Sequence, residues 1–225
     1  MNLLVIINTS SPNTSTMDLI VFGATGMVGK QIVQQALYKG HRVKAFGRNV
    51  YTTDFLHTEQ LQFVQGALFD ELEVYHSILG TDAVLSALGG TFDGTDRTRS
   101  LGMQNIIKQM KKASVKRIIG LGGIGVLNSD ENTLLIDRDD YPREYIPVGK
   151  EHQKAYELLR DSGLDWTFVC PPNIINAGPT GEYHLAADYP PTPDTGKINA
   201  GDLEMFMINE LDKHEYQHHR VGISN

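Results

Sequence analysis

The run Leu19-Ile20-Val21-Phe22 is followed at once by Gly23-Ala24-Thr25-Gly26-Met27-Val28-Gly29, and this junction leaves few folds open to the chain. Four consecutive apolar residues closed by glycine read as a short strand covered on both faces. Behind the glycines, Val28, Ile32, Val33, Ala36 and Leu37 recur at helical spacing as far as Tyr38, and Gly40 stops the helix. With 22 glycines among 225 residues, three at this spacing mean little by themselves. Between a strand and a helix each has a task. The first permits the tight turn, the second lets backbone N–H groups approach a pyrophosphate, and the third lets helix and strand pack closely. The helix N-terminus adds positive potential. Gly23, Ala24, Thr25, Gly26, Met27 and Val28 are therefore candidate dinucleotide-binding residues.

The second strand, Arg42 to Phe46, runs into Gly47-Arg48-Asn49 and carries no carboxylate at its end. A site for NAD(H) usually has an acid there to accept from the ribose hydroxyls. Arg48 instead offers a guanidinium to a 2′-phosphate, so NADP(H) is expected, with NAD(H) as the alternative.

Beyond this point strands and helices alternate: Leu61 to Val64, a helix from Leu72 to Leu79, a strand from Ala83 to Leu88 ending at Gly89-Gly90, and a helix from Arg99 to Lys112. A strand from Arg117 to Leu121, a helix from Lys150 to Asp161 and a strand from Trp166 to Cys170 continue the order. The last quarter is rich in proline before a helix from Ala200 to Leu211 and a strand from His219 to Ile223. This order predicts an α/β fold of the Rossmann type, a doubly wound, mostly parallel sheet with helices on both faces. We expect one domain over residues 17–225, with a substrate-side segment from about 171. Residues 1–16 read as an N-terminal extension; they lack the basic start and small-residue cleavage site of a signal peptide.

A net charge of −7 offers no basic face to nucleic acid or anionic lipid, and no apolar run is long enough for a membrane span. Cys170 is the only cysteine, so an intramolecular disulfide is excluded and a cytoplasmic location is the default expectation. His214, His218 and His219 lack metal-ligand spacing, and no metal is expected.

Further motifs carry a family likeness: Gly47-Arg48, the stretch Leu159-Arg160-Asp161-Ser162-Gly163-Leu164-Asp165-Trp166 leading to Pro171-Pro172-Asn173-Ile174, Pro179-Thr180-Gly181-Glu182-Tyr183, and Ile198-Asn199-Ala200-Gly201-Asp202-Leu203. From about Met17 onward the chain resembles the atypical short-chain dehydrogenases/reductases, specifically the NAD(P)H-binding, NmrA-like group that includes biliverdin-IXβ reductase, or flavin reductase. The resemblance implies that Leu88, Gly89, Gly90, Gly122, Gly123, Pro171, Pro172, Asn173 and Ile174 line the cofactor and substrate cleft. Ala67 and Leu68 after the third strand join that lining.

The chain departs from this pattern where chemistry is decided. Gly122-Gly123 stand where similar reductases carry a serine, the Tyr-Lys pair of the wider group is missing, and Asn173 replaces a histidine. His152 is a candidate proton donor if it titrates near neutrality. Asn173 is a candidate partner for the nicotinamide amide or a substrate carbonyl, and Lys150 for a cofactor phosphate or ribose hydroxyl. Arg97 and Arg99 are candidates to attract an anionic acceptor.

Transfer to a flavin, quinone or tetrapyrrole-like acceptor needs chiefly that donor and acceptor stack, so it survives these losses. Ketone or sugar chemistry needs a positioned acid and is disfavoured. An NADPH-dependent reductase of conjugated small molecules is the leading expectation, with no nucleic-acid or membrane partner and a monomer or small homo-oligomer as the form. A non-catalytic NADP-binding sensor of the NmrA-like type is the alternative. An epimerase or isomerase is argued against by the short C-terminal segment.

Overall fold

The computed structural model describes residues 15–55 and 57–225. Residues 1–14, most of the expected extension, lie outside the described residues. The elements are β1 (Asp18–Phe22), α1 (Met27–Tyr38), β2 (Arg42–Gly47), β3 (Leu61–Gln65), α2 (Glu71–Ile78), β4 (Ala83–Ser86), α3 (Thr98–Ala113) and β5 (Arg117–Leu121). They continue as α4 (Ile146–Arg160), β6 (Asp165–Cys170), β7 (Asn173–Ile175), β8 (His184–Ala187), β9 (Lys197–Asn199), α5 (Ala200–Lys213) and β10 (His219–Ser224).

Eight strands form one sheet in the order β3-β2-β1-β4-β5-β6-β10-β8. All neighbours are parallel except β10 and β8, which are antiparallel. This is the doubly wound α/β sheet the sequence order predicts. The chain winds outward from β1 through β2 to β3, then returns to the other side of β1 as β4. That reversal opens a crevice beyond the strand C-termini between β1 and β4.

The continuous apolar strands match their burial on both faces. Val21, Ile119 and Val221 pack with Ile32 and Val33 of α1 and Leu203 and Met207 of α5. Ile20, Phe22, Ile118 and Phe168 pack on the opposite face with Met103 and Met110 of α3 and Leu159 of α4. The stripe Met103, Ile106, Ile107 and Met110 is buried as its helical spacing requires.

Three differences from the sequence reading have local causes. β4 ends at Ser86, not Leu88, because Ala87 and Leu88 already turn over the first glycine loop. α4 starts at Ile146, one turn before Lys150, with Pro147 in its first turn, where the missing N–H costs nothing. β7, β8 and β9 were not anticipated: with three or four residues each among prolines, they show no periodicity to read. β7 pairs with β9 in a small second sheet, which folds the chain after β6 back beside the crevice.

Where α1 meets α5, Glu204 is 3% exposed with no ion pair among the described residues, and burial pushes its carboxyl up to about 8. The Gln31 amide of α1 lies 2.9 and 3.2 Å from the two Glu204 oxygens, where its oxygen can accept from the protonated carboxyl. A folded-state pKa above the ordinary 4.5 means that the folded protein holds the extra proton between these values, so stability falls as pH rises through that window. Glu204→Gln is expected to melt like the parent near pH 5 and to be the more stable by about 2 kcal/mol above pH 8. Melting curves against pH that run parallel for the two proteins would rule this out.

Candidate functional site

The glycine loop is built as the sequence implies, and the three glycines differ in what the protein itself demands of them. Gly23 has φ +79°, and a Cβ there would come within 2.3 Å of the Ala87 carbonyl oxygen. A Cβ on Gly29 would lie 2.0 Å from the Gly23 carbonyl oxygen, so α1 could not approach β1 with any side chain at that point. Gly26 is different. Its backbone is extended, it is exposed, and an added Cβ would meet only the Gly23 oxygen, at 3.4 Å. The fold leaves that space free above the first turn of α1, which has neither an acidic residue nor a capping side chain. Thr25, Gly26 and Met27 are exposed and form an open cradle at the start of α1, while Ala24 and Val28 are buried beneath it.

The neighbouring loops converge there because the parallel register brings them. Phe22 lies beside Phe46 on one side and Ser86 on the other, which sets Gly47-Arg48 and Ala87-Leu88-Gly89-Gly90 against the cradle. A Cβ on Gly47 would sit 3.1 Å from the Thr25 methyl, so the end of β2 touches the loop directly. Arg48 is exposed just beyond, with no hydrogen bond or ion pair from its guanidinium among the described residues. Ala67 and Leu68 flank the same edge; the Ala67 N–H donates to Glu73 at 2.6 Å, and the Leu68 carbonyl accepts from Asn105 at 2.8 Å. Gly89 has open space around it, whereas the Leu88 side chain is in the core.

At the other end of the crevice, the loops after β5 and β6 are tied by Gly122 N–H to Val169 and Ile124 N–H to Pro171, at 2.7 and 3.1 Å. Pro171 is buried, Pro172 half-buried, and Asn173 exposed at the start of β7 with its N–H on the Gly196 carbonyl. Ile174 packs against the core.

The region of the missing serine is filled by other side chains. A Cβ at Gly122 would fall 2.4 Å from the Phe168 ring, and one at Gly123 would fall 3.0 Å from Cδ2 and 3.2 Å from Nε2 of His152. The His152 imidazole therefore lies over Gly123, close to where the serine would stand. Its ionisation differs from the sequence expectation. Burial, with the Arg99 charge added, pushes its pKa down to about 3, so it is a neutral ring at physiological pH and not a titrating proton donor. Its Nδ1 is buried without a partner among the described residues.

Two other candidates are also placed differently. Lys150 directs its ammonium to Asp137 at 2.9 Å and Gln153 at 3.0 Å, so its charge is already matched within the protein. Arg99 does not reach solvent: it is 7% exposed and donates to the carbonyls of Thr91 and Gly90 at 3.2 and 3.1 Å. Arg97 is exposed. Cys170 is buried, and burial pushes its thiol far up, which makes it an inert core residue. Among the described residues no cluster of His, Cys, Asp or Glu could hold a metal ion, and no helix is long and apolar enough to cross a membrane.

The sequence reading did not single out the loop from Thr91 to Asp96, which follows Gly89-Gly90 at the end of β4. It also missed Asp202, buried at the first turn of α5, which accepts from the N–H groups of Thr180 and Gly181, the Thr180 hydroxyl and the Asn225 amide, each at 2.8 Å. Its occurrence in Ile198-Asn199-Ala200-Gly201-Asp202 was the available signal.

A family model described as NAD(P)H-binding matches residues 23–214. The uncharacterized protein YwnB of Bacillus subtilis is 28% identical over 214 residues, covering 92% of this chain and 98% of its own. A proposed NADH-flavin reductase from Streptococcus pneumoniae superposes with a TM-score of 0.81 at 29% identity, over 93% of this chain and 99% of that one. A proposed epimerase from Bacteroides thetaiotaomicron superposes with a TM-score of 0.82 at 28% identity, over 93% and 97% of the two chains.

Proposed function

This chain belongs to the NAD(P)H-binding family, and on that premise we propose that it is an NADPH-dependent reductase of flavins or similar planar, conjugated acceptors. The observation that carries the reading is the vacant space at Gly26, which the packing of the protein does not require and a bound pyrophosphate would use. The chain supplies the backbone N–H groups of the loop and helix start to the phosphates, Arg48 to a 2′-phosphate, and Gly89 as a wall without a side chain beside the nicotinamide end. A bound nicotinamide would supply the hydride, and water the proton that a reduced flavin takes up with it. His152, neutral at working pH, accepts or donates a hydrogen bond at the acceptor and transfers no net charge. Asn173 contributes a polar edge at the same mouth. A cytoplasmic location, a single domain over residues 17–225 and a monomer or small homo-oligomer belong to the same proposal.

The test is a fluorescence titration with NADPH and with NADH, then addition of FMN while oxidation of the reduced nicotinamide is followed. Tight NADPH binding with FMN-dependent oxidation is expected. The streptococcal relative is described by NADH, so the coenzyme choice is a real question. Arg48→Ala is expected to weaken NADPH binding by about ten-fold or more while leaving NADH nearly unchanged, since it removes a charge-assisted contact that only the phosphate makes. An unchanged ratio of the two affinities would remove Arg48 from the site.

The glycines at 122 and 123 favour one second reading, a sensor that binds NADP without turnover. NADPH binding without oxidation by FMN, FAD or a quinone would select it.

A further inference from the structure

The loop after β4 carries an exposed aromatic ring, Phe92, between residues whose polar groups are hydrogen-bonded to one another. Phe92 is 62% exposed. On one side of it, Asp93 accepts from the Thr91 hydroxyl at 2.7 Å and from the N–H and hydroxyl of Thr95 at 3.0 and 2.7 Å. Asp96 accepts from the N–H groups of Thr91 and Thr98, at 3.3 and 2.7 Å. From beneath, the buried Arg99 holds the carbonyls of Gly90 and Thr91 and places its guanidinium 5.8 Å from the Phe92 ring centre. Gly94, at φ +78°, packs on Pro147 in the first turn of α4, where a Cβ would lie 2.8 Å from the proline Cβ. The loop is thus braced from both ends against α3 and α4.

An exposed phenylalanine does nothing for folding, and a braced one loses the freedom a solvated loop would otherwise keep. Its place gives the reason. The loop begins at Gly89-Gly90, at the C-terminal end of β4, and its Gly94 rests on Pro147 in the first turn of α4, the helix that also carries His152. His152 in turn lies over Gly123 at the end of β5. Phe92 therefore belongs to the α3/α4 side of the crevice mouth, the side on which an acceptor would meet the nicotinamide.

We propose that Phe92 is the stacking face for the acceptor, and that the site accordingly selects flat, conjugated molecules such as the isoalloxazine ring over aliphatic carbonyl compounds. This rests on the reductase reading for the identity of the acceptor but not on turnover. Binding is read by quenching of FMN fluorescence on the full chain saturated with NADP. Phe92→Ala weakens FMN binding by about ten-fold, Phe92→Trp restores it, and neither changes the NADPH affinity or the melting temperature, because the ring is outside the core. Equal FMN affinity in the parent and Phe92→Ala overturns the proposal. FMN binding that depends on Phe92 but brings no NADPH oxidation upholds it and removes the reductase activity. A parent protein that binds neither FMN nor menadione overturns both.

Discussion

Gly26→Val should leave the protein folded, with a melting temperature close to that of the parent, yet weaken NADPH binding by about 100-fold. Room for the new side chain exists in the protein: the backbone is extended and the nearest atom to an added Cβ is the Gly23 oxygen at 3.4 Å. The same room is what the pyrophosphate needs, so a branched side chain displaces the phosphates from the N–H groups of the loop. Loss of two or three charge-assisted hydrogen bonds amounts to about 3 kcal/mol, or roughly two powers of ten in Kd. Gly29→Ala is the contrasting variant. Its Cβ would fall 2.0 Å from the Gly23 oxygen, so it should lose stability as well as binding. A thermal melt and a fluorescence titration on each variant separate the two effects. Unimpaired NADPH binding by Gly26→Val would show that the loop is not the pyrophosphate site.

The largest effect on stability is expected from Asp202→Ala, at about 3 kcal/mol, or roughly 6 to 12 °C in melting temperature for a chain of this size. Asp202 is fully buried and receives donors from Thr180, Gly181 and Asn225, which joins the start of α5, the turn before β8 and the C-terminus. These bonds, with the first-turn position on α5, hold its carboxyl below the usual range despite burial. Removal leaves several donors without an acceptor. Asp202→Asn keeps the shape but turns an NH2 group toward the Asn225 amide, and an intermediate loss is expected. A melting temperature within about 2 °C of the parent for Asp202→Ala would show that water replaces the carboxylate without cost.

His152 shows how the site was only partly legible in advance. The sequence exposed the absence of a serine at Gly122-Gly123, and it placed a histidine on the helix preceding β6. That these facts concern one place follows only when α4 packs on the β5 loop and sets the imidazole over Gly123. The ionisation was beyond reach for the same reason: desolvation and the Arg99 charge act across helices that are distant in the chain. Lys150 had the right type and approximate position for a phosphate contact, but Asp137, brought near by an irregular loop, takes its charge.

The sequence by itself determined the β1-turn-α1 unit, the parallel sheet with helices on both faces, and the lack of an acid beside Arg48. All of these depend on local pattern: the runs in Leu19–Phe22, the helical spacing from Val28, and glycines whose backbone geometry is set within a few residues. Tertiary structure alone decided the short strands β7 to β9, the burial of Glu204 and Asp202, the neutral state of His152 and the bracing of Phe92. A three-residue strand exists only through its partner, and a pKa or a buried hydrogen bond depends on neighbours that long-range packing supplies.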